Sequence, residues 1–170
     1  MNFAEAIDRF VSSLKVERDM SSNTLKAYES DLLRFDLFLR DGLLPKENPK
    51  LKEISPLDIK DYLAQLRDDE SIAPKSLCRI LSSLRQLFAW CVDRGYVQDS
   101  PVEGIQNPKV PQKLPIYLVE EEISHLLETQ RAVKGYVGER DFALISTFLY
   151  TGLRLSELRE LDVQDIDFNA

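Results

Sequence analysis

The stretch PKSLCRILSSLRQLFAWCVDRG, residues 74–95, carries the reading from which the fold follows. At about 100° per residue, Leu77, Ile80, Leu81, Leu84, Leu87, Phe88 and Cys91 fall in one apolar arc, which predicts an amphipathic helix with a single buried face. Pro74 suits the first helical turn, and Gly95, preceded by Arg94, suits the position just past the end. Lys75, Arg79, Ser82 and Gln86 share the opposite arc, flanked by Arg85, and no Asp or Glu occurs from Lys75 to Val92.

Working outward, apolar residues recur at helical spacing almost throughout, so the fold class is mainly α. Phe3, Ile7, Phe10, Val11 and Leu14 mark a first helix from Phe3 to Arg18. A second starts after the capping candidates Ser21 and Ser22, carries the stripe Leu25, Tyr28, Leu32, Phe35 and Leu39, and runs to Arg40, where Asp41 and Gly42 stop it. A loop from Leu43 to Ile54 holds Pro45 and Pro49. Ser55, Pro56 and Asp58 then give a cap, a first-turn proline and a first-turn acid, opening a third helix that runs to Arg67. With the helix at 74–95, these predict a four-helix bundle over residues 1–95.

Pro101, Pro108, Pro111 and Pro115 punctuate a stretch with little helical periodicity, which reads as a linker over residues 96–118. Helical pattern returns at Val119–Glu128, Gly138–Tyr150 and Ser156–Leu161. The final Asp165-Ile166-Asp167-Phe168 alternates polar and apolar residues and is expected to open a β-strand. Residues 119–170 are thus read as the beginning of an α/β domain.

Cys78 and Cys91 would lie about 20 Å apart along one helix, too far for a disulfide, and are expected to be reduced thiols. With His125 the only histidine, and that in an amphipathic helix, neither a transition-metal site nor a His-based triad is expected. No run of roughly 20 apolar residues is present, and the start MNFAEAIDRF has no signal-peptide pattern, so a cytoplasmic protein without membrane partners is expected. The net charge of −7 argues at first against nucleic acid. It is unevenly spread: residues 1–109 carry 16 basic and 18 acidic groups, residues 110–170 only 6 against 11.

Two features point to chemistry. A helix face of Lys, Arg, Ser and Gln without acid suits phosphates and base edges of duplex DNA, and equally a solvated bundle surface. In Tyr150-Thr151-Gly152-Leu153-Arg154-Leu155-Ser156-Glu157-Leu158, a helix ends at Gly152 and another opens near Ser156, leaving Arg154 in the elbow. A planar guanidinium there suits bidentate phosphate contact and charge stabilisation in phosphoryl transfer, with Glu157 holding it. An exposed Arg–Glu pair at a helix start is the alternative. Tyr150, at a helix end on an apolar run, is read as core rather than as a nucleophile.

The order Ser21-x-Asn23-Thr24-Leu25-x-Ala27-Tyr28-x-x-Asp31-Leu32-x-x-Phe35, followed by Arg79-x-Leu81-Ser82-x-x-Arg85-x-x-Phe88, resembles the core-binding domain of tyrosine recombinases, the phage integrase family. So do Ser100-Pro101, Asn107-Pro108-Lys109 and Leu114-Pro115, and the Thr151-to-Leu158 element followed by Asp165-Ile166-Asp167 resembles the opening of their catalytic domain, closest to the Xer-type subgroup. The resemblance implies a four-helix SAM-like domain followed by a truncated α/β catalytic domain, the pair closing around DNA. It implies strand cleavage through a 3′-phosphotyrosyl link with no metal, nucleotide or other cofactor. Partners would be a double-stranded recombination site and further protomers in a synaptic tetramer.

Arg154 matches the first catalytic arginine of that family, with Glu157 supporting it. Thr24, Lys26, Lys75, Arg79, Ser82 and Arg85 would face DNA from the second and fourth helices, and Lys109 and Lys113 from the linker. The family's lysine hairpin, HxxR motif and terminal tyrosine are not matched within the 170 residues, so DNA binding without cleavage is expected. A regulatory module that associates with full-length recombinase is the alternative function.

Overall fold

The computed structural model describes residues 1–17, 20–41, 48–69, 72–111 and 114–167. Arg18, the expected end of the first helix, Gly42 and the first five residues of the following loop, Lys113 and Phe168 lie outside that set. The chain divides into two units, Met1–Gln112 and Lys113–Ala170.

In the first unit the apolar arc read from residues 74–95 is buried, no member being more than 4% exposed. Its helix, Pro74–Asp93, is the fourth after α1 (Phe3–Glu17), α2 (Ser22–Asp41) and α3 (Pro56–Asp68). This helix, α4, packs against all three others, and α1 against α2 makes the other large contact. Aromatic side chains fill the middle: Phe3 meets Phe35 edge-on at 5.5 Å between ring centroids and stacks on Phe88 at 6.1 Å, while Tyr62 of α3 reaches Phe35 at 5.0 Å. Each such pair adds about 0.5–1.5 kcal/mol beyond the area it buries.

Local chemistry sets the helix ends. Ser55 Oγ accepts the Asp58 amide at 3.3 Å and the Asp58 carboxylate accepts the Ser55 amide at 2.7 Å, a capping box that starts α3 where the sequence predicts. Past α4, Gly95 takes φ +71, so that its amide reaches Val92 O at 2.9 Å and the Tyr96 amide reaches Cys91 O at 2.8 Å. This paired closure turns the chain back along the bundle. The described residues of the proline-spaced stretch that follows are non-helical, and its first part packs on the bundle: Val97 and Val102 are buried, with Tyr96 and Ile105 against the core. The start of α1 is tied to a short turn, Leu51–Glu53, and the residues just before it: the Phe3 amide donates to Pro49 O at 2.8 Å and the Leu51 amide to Met1 O at 3.4 Å.

The second unit contains α5 (Glu120–Arg131), α6 (Tyr136–Thr151) and α7 (Leu155–Glu160). Helix α6 packs against both neighbours. A methyl group on Gly138 would sit 2.0 Å from Val133 O, so only glycine lets the start of α6 approach the turn before it.

The α/β part of the expected fold class is overturned. Among the described residues no strand forms, and the one β-bridge joins Asn2 to Lys50 in the first unit. Asp165 closes a 3₁₀ turn, Val163–Asp165, in which the Asp162 carboxylate accepts the Val163 amide at 2.8 Å and the Asp165 carboxylate accepts the Asp162 amide at 2.8 Å. Ile166 is extended, with φ −108 and ψ 119, but its amide closes the turn on Val163 O at 3.4 Å and it makes no β-bridge to any described residue. Alternation of polar and apolar residues makes a strand only where a second strand accepts its hydrogen bonds. The described architecture is all-helical.

Candidate nucleic-acid interface

The polar arc of α4 begins with Lys75, exposed in the first turn, continues through Arg79 and the half-buried Ser82, and reaches the exposed Gln86. The absence of carboxylates on this arc does not leave its arginines without partners. Arg79 Nη1 donates to Asp31 Oδ2 of α2 and, at 3.4 Å, to Ala27 O one turn earlier. The Asp31 side chain is 6% exposed and that of Arg79 45%. Burial holds the Asp31 carboxyl above its usual range, and the charges of Arg79 and Arg34 pull it down without cancelling that effect.

Arg85, on the flank, turns to the connector: Nη1 donates to Asn107 Oδ1 at 2.6 Å and Nη2 to Ile105 O. Cys78 Sγ lies 3.5 Å from Pro108 O on the same stretch. Both cysteines are free thiols, as expected, and burial pushes that of Cys91 up to about 12.

On α2, Thr24 is half-buried with its hydroxyl 2.9 Å from Ser21 Oγ, and Lys26 is exposed. Lys109 is exposed on the connector, and Lys113 lies outside the described residues. The arrangement joins Arg79 to the Ala27–Asp31 turn of α2 and Arg85 to residues 105–107. The sequence reading missed Asp31 and Asn107 as partners. Asp31 carried a signal: it stands on the apolar stripe of α2, three residues after Tyr28 and four before Phe35, where a carboxylate needs a cation from another element.

In the second unit, α6 ends at Gly152 with φ +66, and the Thr151 hydroxyl accepts the Leu153 amide at 3.3 Å. Glu157 accepts the Arg154 amide at 2.7 Å and Arg154 Nη1 at 2.9 Å. The backbone bond and then the side-chain bond from Arg154 hold the Glu157 carboxyl below its usual range. The Arg154 side chain remains 83% exposed, so its free donors face solvent. The core reading of Tyr150 is overturned: it is 81% exposed, on a side of α6 that no described residue covers. His125 is exposed. Among the described residues, no helix is long and apolar enough to cross a membrane, and no three His, Cys, Asp or Glu group as a metal site requires.

Residues 7–95, more than half of the chain, match the phage integrase N-terminal SAM-like domain. The chain belongs to the tyrosine recombinase, or phage integrase, family. Its Xer-like character is plain in its relatives: tyrosine recombinase XerC of Oceanobacillus iheyensis is 35% identical over 95% of this chain and 51% of its own length. Tyrosine recombinase XerD of Yersinia pestis is 34% identical over 94% of this chain and 51% of its own. The chain therefore spans about half the length of the curated recombinases it matches. A lambda integrase dimer bound to a COC' core site shares the fold, with a TM-score of 0.73 at 18% identity across 98% of this chain and 43% of that one. The recombinase-family match includes α2 and α4 with Asp31, Arg79 and Arg85.

Proposed function

We propose that this chain is the DNA-binding part of a site-specific tyrosine recombinase, with residues 1–95 as core-binding domain, 96–118 as connector and 119–170 as the opening of the catalytic domain. The observation that carries the proposal is the 35% identity with tyrosine recombinase XerC over nearly the whole chain. Physical support comes from the polar arc of α4, where the one described carboxylate that Arg79 meets is buried beneath it. Lys75, Arg79 and Ser82, with Thr24 and Lys26 of α2, contact the duplex. Arg85 approaches it beside the connector, where Lys109 and Lys113 meet its backbone.

In the intact enzyme, a tyrosine attacks a backbone phosphate, forms a 3′-phosphotyrosyl link and releases a 5′-hydroxyl that later reverses the step. Arg154 stabilises charge on the phosphate oxygens, and Glu157, bonded to both its amide and its guanidinium, keeps it in the elbow. The 170 residues alone hold this arginine and bind DNA without cutting it.

Fluorescence anisotropy of a labelled mixed-sequence duplex of about 30 base pairs tests the binding. Affinity is expected to fall steeply with salt, and a flat dependence is the contrary result. A nicked suicide duplex is expected to yield no covalent adduct, and an adduct on denaturing gels would defeat the second half of the proposal.

The exposed apolar side chains of Ile116, Tyr117, Tyr136, Tyr150 and Leu155 favour a second reading, association with other recombinase protomers. Sedimentation of the chain with and without a full-length recombinase separates the two.

A further inference from the structure

Asp31 is a carboxylate almost wholly withdrawn from water, and the group it meets is an arginine nearly half in solvent. Its helix places it among Tyr28, Leu32 and Phe35, so an apolar residue would fill the site without the cost of burying a charge. Arg79 neutralises that cost incompletely, since the Asp31 carboxyl stays above its ordinary range. Both bonds from Arg79, to Asp31 and to Ala27 O, use Nη1. They anchor the head of a long, flexible side chain at one corner and leave Nη2 and Nε outside those bonds. A free arginine on a helix surface loses side-chain entropy when it meets a phosphate, and an anchored one has already lost it.

We propose that Asp31 is a positioning residue for DNA binding: from α2 it fixes the Arg79 guanidinium across the α2–α4 seam, so that its remaining donors form a preset fork for one backbone phosphate. This rests on the DNA-binding reading above and adds to it a role for an acid. The role has a counterintuitive sign. Removing a negative charge beside a DNA-binding face should tighten binding by electrostatics alone. Removing Asp31 weakens it.

The experiment compares Asp31→Ala with Asp31→Asn in the 170-residue chain, by anisotropy on the mixed-sequence 30-base-pair duplex across a salt series. Both substitutions remove the same charge, but only asparagine keeps an oxygen for Arg79 Nη1. Asp31→Ala is expected to bind roughly three- to tenfold more weakly than the unsubstituted chain, with a salt slope shallower by about 0.9, the loss of one phosphate. Asp31→Asn is expected to recover at least threefold of that affinity. Equal affinities for the two variants, or Asp31→Ala binding as tightly as the unsubstituted chain, would overturn the proposal while leaving DNA binding standing. Loss of salt-dependent binding by the unsubstituted chain would overturn both.

Circular dichroism reports folding independently. Should Asp31→Ala not fold, Arg79→Lys decides the matter: it keeps the charge and the pair but not the fork. It is expected to bind at least threefold more weakly, and binding equal to the unsubstituted chain overturns the proposal.

Discussion

The Asp31 carboxyl is held above its usual range chiefly by burial, with Arg79 and then Arg34 pulling the other way. The folded chain therefore takes up a proton at a pH where the unfolded chain, titrating near 3.8, does not. Stability from this group is fully present below the unfolded value and is lost as pH rises through the folded one. Asp31→Asn carries no such titration. The unfolding free energy of the unsubstituted chain, measured by urea denaturation and compared with Asp31→Asn, is expected to gain on the variant as pH falls from 7 toward 4. A difference that moves the other way would mean that Arg79 outweighs burial at this site.

At the scale of elements, Arg85 ties α4 to the connector through Asn107 and the carbonyl of Ile105. Two hydrogen bonds from a half-buried guanidinium contribute on the order of 1–2 kcal/mol after allowance for solvent. Arg85→Ala is expected to lower the thermal midpoint by a few degrees and to speed amide exchange at Val102–Asn107 while leaving exchange in α1 unchanged. Unchanged exchange in the connector would show that the tie holds nothing.

What could be read in advance follows the range of the interaction. The buried face of α4 was legible because periodicity is a property of one helix, and the start of α3 because Ser55 and Asp58 are three residues apart. The partner of Arg79 is 48 residues away on another helix, and that of Arg85 lies 20 to 22 residues on, in a stretch without periodicity. Neither distance leaves a local pattern. The strand expected at Asp165 failed for the same reason, since a strand needs a partner that lies outside its own sequence. Tyr150 failed because an apolar run records what a helix is able to bury, while its burial depends on what lies against it.

Across the whole molecule, burial and charge divide at the same place. Nearly every buried apolar side chain belongs to Met1–Gln112, whereas the described part of Lys113–Ala170 buries only Leu158 and Gly138. Hydrophobic stabilisation scales with apolar area removed from water, at about 25 cal/mol per Å², so the first unit holds the material for a cooperative transition and the second lacks it. The second unit also carries most of the net negative charge, with 11 acidic against 6 basic groups, compared with 18 against 16 in the first. Two fragments cut at Gln112 are therefore expected to behave differently in calorimetry. Residues 1–112 should unfold in one transition within a few degrees of the main transition of the entire chain, and residues 113–170 should show no cooperative peak. The first fragment should also bind the 30-base-pair duplex at least as tightly as the entire chain at low salt, because the unit it loses repels phosphate more than it attracts it. Weaker binding by residues 1–112 would mean that cations of the second unit, Arg154 among them, contact the duplex strongly enough to outweigh the acids around them.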